Sequence, residues 1–391
     1  MNILYTAPRY HTNQVPIMKG WYESKNKVMF LAEFEGVSEI HDYVDFRIMK
    51  PGILSKFIFK RIEGKYGPNE VEGKKIKYFF PAFWDIVKTI KTFRPDLVIM
   101  RERYISTLII YAVCRMLGIS KCILYVQQPI YGTDEGGNRI KKWLKQILFP
   151  KAVFSPVLYH GKQRGKIGKS DIYYVPLIAE NNNPEEILKR SYFKDKKINF
   201  LDIGKYRNYK NHFFLIDAFE QLQKKDRLGS VQLTIIGQLS NYEEEEYYKK
   251  LKEYVKNKKL ENVIEIRPNI PFREMESLYL DYDVLLLPST YESAGMVILE
   301  AMEKGLCVVT SIYCGLGSYL EEYECGFTFN LDNTESLVEI IENLTDNRNT
   351  IISMGQKSIE VINHKLSFLN YYHHLSEVTY KEFGYSLELL E

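Results

Sequence analysis

Two glutamates are separated by eight positions in the segment DVLLLPSTYESAGMVILEAMEKG, residues 283–305. Glu292 and Glu300 follow an apolar strand that breaks at Pro288 into a turn of small residues and then a helical pattern. Eight residues of helix rise by about 12 Å, so both carboxylates can project to one side at different heights. One acid could then stand beside a reacting centre while the other holds the far end of an elongated ligand.

Small side chains lie between the two glutamates. We expect Ser293, Ala294 and Gly295 to open the helix. The first N–H groups of a helix have no partner within it, and the helix dipole favours anions at that end. Because small residues let a phosphate approach these N–H groups closely, the segment predicts a site for a phosphorylated ligand.

A basic loop follows the predicted strand INFLDIG in the same half of the chain. Lys205, Arg207 and Lys210 put three cations within six positions after Gly204, just before an apolar helical pattern. Cations at the end of a strand are typical of a phosphate site. The alternative is a solvent-exposed turn that is merely basic.

Length and composition limit the class of protein. A chain of 391 residues that is 45% hydrophobic is too long for one ordinary core, which indicates two domains of similar size. Its five cysteines show no CxxC or metal-ligand spacing, so we expect free thiols in a reducing compartment and no structural metal. We also expect a cytoplasmic protein, because no signal-like start occurs and no apolar run approaches the roughly 18 residues of a membrane span.

Charge is divided unevenly between the two halves. Residues 1–190 contain 31 Lys and Arg against 18 Asp and Glu, whereas residues 191–391 contain 22 against 32. Aromatic residues interleave the basic runs at 56–67, 74–84 and 138–149, which favours an anionic membrane surface or a polyanionic acceptor. Solvated helix faces are the alternative. Nucleic acid is not an expected partner, because no recognition motif accompanies the charge.

Predicted strands and helices alternate along both halves. The expected strands are NILYTA, KVMFLAE, DLVIMRE, KCILYVQ, INFLDIG, VQLTIIG, NVIEIRP, DVLLLPS and LCVVTS. This α/β order predicts two Rossmann-like domains, at 1–180 and 195–365, each with a doubly wound parallel sheet covered by helices. Residues 179–197 hold the expected linker, and the tail at 366–391 could pack back on the first domain. Such sheets bind ligands at the carboxyl ends of their strands, so the domains should face a central cleft.

Taken in order over about 130 residues, the motifs of the second half resemble retaining GT-B glycosyltransferases of family 4, the glycosyl transferases group 1. The shared features are Gly204 with Lys205 and Lys210, the strand LTIIG ending at Gly237, NVIEIRP, the two-glutamate segment and GLCVVTS. The resemblance implies a GT-B fold. Its N-terminal domain would bind the acceptor and its C-terminal domain the nucleotide-sugar donor.

The resemblance implies unequal roles for the two glutamates. Glu292 would lie against the donor sugar near its anomeric carbon, and Glu300 would accept hydrogen bonds from the ribose hydroxyls. With Glu292, the catalytic residues would be Lys205 and Lys210, whose charges neutralise the leaving diphosphate without a metal ion. The implied nucleotide-sugar contacts are Glu300, Gly204, Arg207, Gly237, Arg267, Asn269, Ile270, Ser293, Ala294, Gly295, Met296 and Val297.

The first half is expected to hold the acceptor. Its opening loop offers four polar side chains that could orient the acceptor or the leaving phosphate, against the alternative of loop packing: Arg9, His11, Asn13 and Gln14. After KCILYVQ the family often places a histidine against the donor sugar, whereas this chain has Gln127 and Gln128. Glutamine can hydrogen-bond a sugar hydroxyl but does not titrate, so we expect binding and no acid-base role.

The resemblance therefore implies transfer of a hexose from a nucleoside diphosphate sugar, expected to be a UDP-sugar, with retention of configuration. A surface-glycan precursor is the expected acceptor, such as a lipid-linked oligosaccharide, capsule or lipopolysaccharide, which would place the protein at the inner face of the cell membrane. A sugar-nucleotide epimerase and a soluble disaccharide synthase are alternatives that the basic first half disfavours. A non-catalytic nucleotide-sugar-binding subunit is disfavoured by the presence of Glu292, Glu300 and Lys210.

Overall fold

Thirteen strands form two sheets in the computed structural model, which describes residues 1–36, 41–65, 68–127, 147–158, 172–179, 187 and 190–387. The strands are β1 (Asn2–Ala7), β2 (Lys27–Ala32), β3 (Asp45–Ile48), β4 (Leu97–Arg101), β5 (Cys122–Tyr125), β6 (Ala152–Ser155), β7 (Ile172–Tyr174), β8 (Ile198–Ile203), β9 (Val231–Gly237), β10 (Ile264–Pro268), β11 (Val284–Leu287), β12 (Cys307–Ser311) and β13 (Gly326–Phe329).

Thirteen α-helices connect and cover these strands within the described residues. They are α1 (Val15–Glu23), α2 (Ile53–Glu63), α3 (Pro68–Lys77), α4 (Phe83–Phe93), α5 (Ile105–Met116), α6 (His212–Lys224), α7 (Tyr242–Asn257), α8 (Phe272–Leu278), α9 (Met296–Glu303), α10 (Gly317–Glu322), α11 (Glu335–Asp346), α12 (Arg348–Lys365) and α13 (Phe368–Phe383). In the part of the chain that the structure describes, no helix combines the length and apolarity needed to cross a bilayer.

Both sheets are doubly wound. The first has the strand order β3-β2-β1-β4-β5-β6-β7, the second has β10-β9-β8-β11-β12-β13, and all the described strand pairs are parallel. The nine strands expected from the sequence are present, and the predicted α/β fold class is confirmed. In each sheet the order reverses beside the first strand of the domain, between β1 and β4 and between β8 and β11. Ligands of doubly wound folds bind in the crevice at such a reversal.

Apolar side chains cover both faces of each sheet, as a parallel sheet requires. On one face of the first sheet a buried Trp21 donates from its indole N–H to the Tyr5 hydroxyl at 2.8 Å, and Tyr5 lies 2.9 Å from the hydroxyl of Tyr371. Tyr371 belongs to α13, so this C-terminal helix packs into the core of the first domain. These contacts hold α1 and α13 against the first sheet at Tyr5, two residues before the carboxyl end of β1.

Candidate active site

Two loops leave the second sheet on either side of its reversal point. The first follows β8 and contains the basic residues, and the second follows β11 and contains Glu292. A hydrogen bond from the Thr290 N–H to the Tyr209 carbonyl, 2.8 Å long, joins the two loops. Residues more than 80 positions apart in sequence, such as Lys210 and Glu292, therefore share one crevice at the carboxyl edge of the sheet.

Lys210 and Glu292 meet in that crevice. The Lys210 Nζ lies 2.6 Å from Glu292 Oε2, with side chains 12% and 20% exposed. Burial lowers the pKa of Lys210, but the negative charge of Glu292 and the hydrogen bond that Lys210 donates to it, with a smaller effect of Asp202, outweigh burial and raise the pKa. The lysine is therefore a fixed, largely desolvated cation at neutral pH, and its field is stronger than that of an exposed lysine.

A buried pair lies behind Lys210. The Asp202 Oδ2 and His212 Nε2 atoms are 3.3 Å apart, and both side chains are buried. Burial raises the pKa of Asp202 to about 8 and lowers the pKa of His212 to about 3, and the charge of Lys210 lowers both values. Burial therefore favours the uncharged form of both side chains, and Glu292 is the carboxylate in direct contact with Lys210.

Glu292 precedes the helix rather than lying on it. The expectation that both glutamates share one helix is wrong, because α9 begins at Met296 after a left-handed Gly295 with φ of +85°. The Glu292 carbonyl accepts from the Gly315 N–H at 3.0 Å, and the Ala294 carbonyl accepts from the Leu316 N–H at 2.9 Å. These bonds hold the loop in an extended form that a helix at the same residues would forbid.

The four small or apolar residues around this turn differ in exposure. Ala294 and Val297 are buried, whereas Ser293 and Met296 are half-buried. A side chain at Gly295 would place its Cβ 3.1 Å from the Glu292 Cγ, in a backbone conformation that L residues rarely adopt. Because Gly295 has no side chain, Glu292 and the first N–H groups of α9 can lie close together.

Glu300 lies on α9 and contacts a tyrosine that the sequence analysis did not identify. The Tyr279 hydroxyl donates to Glu300 Oε2 at 2.6 Å, and the Tyr279 side chain is buried. Glu300 itself is exposed to solvent. Tyr279 holds the carboxylate in one orientation, which would suit the predicted acceptance of two hydrogen bonds from a sugar diol.

Replacing Glu300 with glutamine should raise the KM for the donor about 10- to 100-fold with kcat within about threefold, since a hydrogen bond to a charged group contributes about 1.5 to 3 kcal/mol. Steady-state kinetics with varied donor measures this effect. Glu303→Gln, one turn further along α9, is the control and should leave KM unchanged. A loss of kcat at constant KM would contradict a binding role for Glu300.

The ends of three neighbouring strands form one wall of the crevice. The Gly204 N–H donates to the Ile236 carbonyl at 2.9 Å, and a Cβ on Gly237 would lie 2.6 Å from the Gly204 carbonyl oxygen. The Asn269 N–H donates to the Gly237 carbonyl at 2.8 Å, which brings the end of β10 alongside. The predicted residues Gly204, Gly237, Arg267 and Asn269 therefore lie together, with Ile270 packed against the core below them.

The three cations of the basic loop have different environments. Lys205 is exposed, whereas Lys210 is nearly buried. The Arg207 Nε lies 2.8 Å from Glu244 Oε1, a fully buried carboxylate at the start of α7. Arg207 therefore ties this loop to α7, and Lys210 is the cation that the fold places deepest in the crevice.

Residues of the first domain reach the start of α9. The Asn13 side-chain N–H donates to the Met296 Sδ at 3.7 Å, which links the opening loop to the candidate donor site. Burial lowers the pKa of His11, as do the nearby charges of Arg101 and Arg9, so the imidazole is neutral at pH 7. Gln14 is buried and accepts from the His11 N–H at 2.8 Å, a contact that shapes the loop.

Gln127 lies at the end of β5, at the same edge of the first sheet. Its amide donates to the Tyr125 hydroxyl at 2.5 Å, and its side-chain oxygen accepts from Arg101 Nη2 at 3.0 Å. The Gln127 N–H donates to Glu102 Oε1 at 2.9 Å. These contacts set the orientation of Gln127, whereas Gln128 lies outside the described residues.

Glu33 is a buried acid that the sequence analysis missed, although it directly follows β2 at the carboxyl edge of the first sheet. Its side chain is 3% exposed, and one carboxyl oxygen accepts from the Ser106 hydroxyl. Burial raises the pKa of Glu33 to about 8, although the Ser106 hydrogen bond acts in the opposite direction. A carboxyl group directly after an apolar strand was the available signal.

This raised pKa predicts how stability depends on pH. Glu33 stabilises the fold fully below its ordinary pKa of 4.5 and loses that contribution as the pH rises through about 8. In Glu33→Gln the free energy of unfolding should therefore fall less steeply between pH 5 and 8, by about 1.4 kcal/mol per pH unit. Urea denaturation across that range measures the slope, with the exposed Glu35→Gln as control. Identical slopes for wild type and Glu33→Gln would contradict the assignment.

One Asp-x-Asp triplet, Asp281-Tyr282-Asp283, has the acidic spacing that a divalent cation could use. Asp283 accepts from the N–H groups of Phe193 at 2.9 Å and Asn199 at 2.8 Å, and Asp281 pairs with Lys194 at 2.5 Å. These contacts lie at the amino end of β11, away from the carboxyl edge. The triplet therefore stabilises the edge of the second sheet that is opposite the crevice.

Comparison with known proteins identifies the second half of the chain. Residues 183–361 match the family model described as glycosyl transferases group 1. The second domain is a glycosyl transferases group 1 domain. Mannosylfructose-phosphate synthase of Agrobacterium fabrum is 29% identical over 130 residues, 33% of this chain and 28% of the relative. The lipopolysaccharide glucosyltransferase WaaG of Escherichia coli is 37% identical over 65 residues, 16% and 17% of the two chains.

Solved structures extend the likeness to both domains. Anabaena HepE in complex with UDP-glucose has a TM-score of 0.67 at 14% identity, and the match covers 97% of this chain and 100% of that one. The architecture is GT-B, in which the group 1 domain is the second of two parallel-sheet domains. By sequence, the chain spans about a third of the length of the first curated relatives that it matches.

Proposed function

We propose that the protein is a glycosyltransferase that moves a hexose from a nucleoside diphosphate sugar, preferably a UDP-sugar, with retention of configuration. The observation that carries this proposal is the desolvated Lys210–Glu292 pair at the reversal point of the group 1 domain. The complex of a structural neighbour with UDP-glucose supports this donor class. In the proposed complex the diphosphate lies between Lys210 and the first N–H groups of α9, and Glu300 holds the ribose.

The proposed reaction breaks the bond between the anomeric carbon and the β-phosphate oxygen. Negative charge then grows on the diphosphate and positive charge on the sugar ring. Lys210 and the N–H groups of α9 stabilise the leaving group, and the Glu292 carboxylate stabilises the sugar cation. The acceptor hydroxyl forms the new bond on the face that the diphosphate leaves, and its proton goes to the leaving group. These fixed charges supply what a divalent cation would supply, so we propose that no metal is required.

The proposed acceptor is a surface-glycan precursor bound by the first domain. Asn13 reaches the start of α9, and the neutral His11 lies beside it in the same loop, so an acceptor placed there would meet the donor sugar. A relative named as a lipopolysaccharide glucosyltransferase supports this acceptor class. Precursors of this class are lipid-linked, so we also propose that the protein works at the inner surface of the cell membrane.

Ligand-dependent stability tests the donor class without knowledge of the acceptor. We expect one nucleoside diphosphate among UDP, GDP and ADP to raise the unfolding temperature, because a ligand at 100 times its Kd adds about 2.7 kcal/mol to the free energy of unfolding. The corresponding nucleotide sugar should act alike, and the shift should persist in EDTA. A shift that requires added Mg²⁺ or Mn²⁺, or no shift with any of the three, would overturn the proposal.

A further inference from the structure

The first turns of α2 and α4 lie side by side on the outside of the first domain. Pro51 and Pro81 form an antiparallel bridge immediately before these helices, and the Ala82 N–H donates to the Lys50 carbonyl at 2.8 Å. The backbone therefore fixes the two helix starts against each other. The first two side chains of each helix therefore leave the backbone within three residues of this bridge.

The surface at these two helix starts is apolar and exposed. Its members are Ile53, 89% exposed, Leu54, 51%, Phe57, 61%, Phe83, 41%, and Trp84, 76%. We call these five residues the apolar tip. Single exposed apolar side chains are normal on soluble proteins, but a contiguous group of large ones at a fixed point marks an interaction site. Trp and Phe are also the residues that anchor proteins at the boundary between lipid headgroups and acyl chains.

The core of the domain does not account for the apolar tip. Both helices have a separate inner side, formed by Ser55 and Ile62 on α2 and by Ile86 and Ile90 on α4. All four side chains are buried: Ile86 and Ile90 pack into the core against the sheet, and the Ser55 hydroxyl donates to the Phe80 carbonyl at 2.9 Å. The tip residues are therefore additional apolar surface, whose burial would need a partner.

Basic side chains lie beside the apolar tip, on and next to α2. The exposed cations on or next to α2 are Lys50, Lys56, Lys60 and Arg61. Lys50 lies 3.5 Å from Asp85 and is 79% exposed, and the Arg61 guanidinium lies 5.5 Å from the centre of the Phe57 ring. Cations beside apolar side chains match an anionic bilayer, whose surface potential attracts Lys and Arg side chains near the headgroups. This combination of interfacial aromatic and basic groups is the one that proteins bound to an anionic bilayer surface present.

We propose that the apolar tip inserts into the headgroup region of an anionic lipid bilayer, with the neighbouring cations on the lipid phosphates. This names the surface behind the membrane location in the proposed function and rests on that location alone, not on the transfer reaction. The tip belongs to the domain in which we place the acceptor. Insertion would hold that domain at the surface from which a lipid-linked acceptor extends.

Vesicle flotation of the full chain tests the apolar part. Wild type should float with vesicles of phosphatidylcholine and phosphatidylglycerol, and Ile53→Ser/Trp84→Ser should lower the bound fraction about tenfold or more, since insertion scales with buried apolar area. Both residues are exposed, so the variant should fold normally. Tyr242→Ser, 72% exposed on the second domain, is the matched control and should float like wild type.

The contribution of the cations beside the apolar tip is tested separately. Lys56→Glu/Lys60→Glu should reduce flotation, 0.5 M salt should reduce it for wild type, and Lys224→Glu on the second domain should have no effect, because surface charge acts over a short screened distance. Equal binding to vesicles of pure phosphatidylcholine would overturn the role of the cations. Binding that responds to the charge variants but not to Ile53→Ser/Trp84→Ser would overturn insertion.

Insertion depth can be measured directly at Trp84. Lipids brominated on the acyl chain should quench wild-type tryptophan fluorescence, and Trp84→Phe should remove most of that quenching. Light scattering in the absence of lipid tests whether the apolar tip instead binds a second copy of this chain. If wild type self-associates, Ile53→Ser/Trp84→Ser abolishes that association, and wild type does not float with vesicles, the proposal is overturned. None of these assays contains donor or acceptor, so their failure leaves the proposed transfer untouched.

Discussion

Replacing Lys210 with alanine is expected to lower kcat/KM about 1,000-fold. The side chain is 12% exposed and its ammonium lies 2.6 Å from Glu292, so it acts at short range in a partly desolvated site. Removal of one preorganised group that stabilises a leaving oxyanion costs about 100- to 1,000-fold in rate, and a charged group lies at the upper end of that range. Initial rates of nucleoside diphosphate release under donor-limited conditions measure the effect.

Control variants distinguish the loss of leaving-group stabilisation from a general loss of folding or surface charge. Lys205→Ala removes an exposed cation of the same loop and should cost about tenfold or less, because solvent screens its charge. Lys224→Ala on α6 should be neutral. Lys210→Ala also leaves Glu292 without its partner, so its unfolding temperature must be compared with that of Lys210→Ala/Glu292→Gln. Activity of a folded Lys210→Ala variant within about threefold of wild type would contradict the proposed role.

Glu292→Gln is expected to lower kcat about 100- to 1,000-fold while the KM for the donor changes by less than about fivefold. Glutamine has the shape of glutamate but lacks the charge that would stabilise the positive sugar ring, so the loss falls on the transition state. The backbone bonds of residue 292 to the loop at 313–315 do not involve the side chain and should survive. Full steady-state kinetics for Glu292→Gln and Glu300→Gln measure both parameters.

The two glutamate variants should therefore differ in kind. Glu300→Gln should raise KM, and Glu292→Gln should lower kcat. The same pattern in both variants would mean that the carboxylates act as one binding unit. A change in KM alone for Glu292→Gln would remove that residue from the reacting end of the donor.

The central strands could be predicted from the sequence because they are continuous apolar runs, as sheets covered on both faces require. The four strands that were not predicted are β3, β6, β7 and β13. In β3, for example, Asp45 and Arg47 form an exposed ion pair at 2.7 Å, so the strand lacks an apolar run. β3 forms because it pairs with β2, and a pairing between separate segments leaves no local pattern in the sequence.

The residue types of the candidate site could be predicted from the sequence, but the burial of each residue could not. Lys205 and Lys210 are equally basic in the sequence, and only the fold shows that one is exposed and the other nearly buried. Glu292 was placed on the wrong element because the bonds that hold it extended come from residues 313–316, about 20 positions later. Tyr279 could not be connected to Glu300 for the same reason, since the contact joins two separate elements.

The most direct test of the proposed chemistry is release of nucleoside diphosphate from a panel of nucleotide sugars in the presence of excess EDTA. We predict slow release with one donor class, undiminished by EDTA, that falls at least about 100-fold in Lys210→Ala. Turnover that disappears in EDTA and returns with a divalent cation, or that is unaffected by Lys210→Ala, would contradict the assignment of leaving-group stabilisation to Lys210.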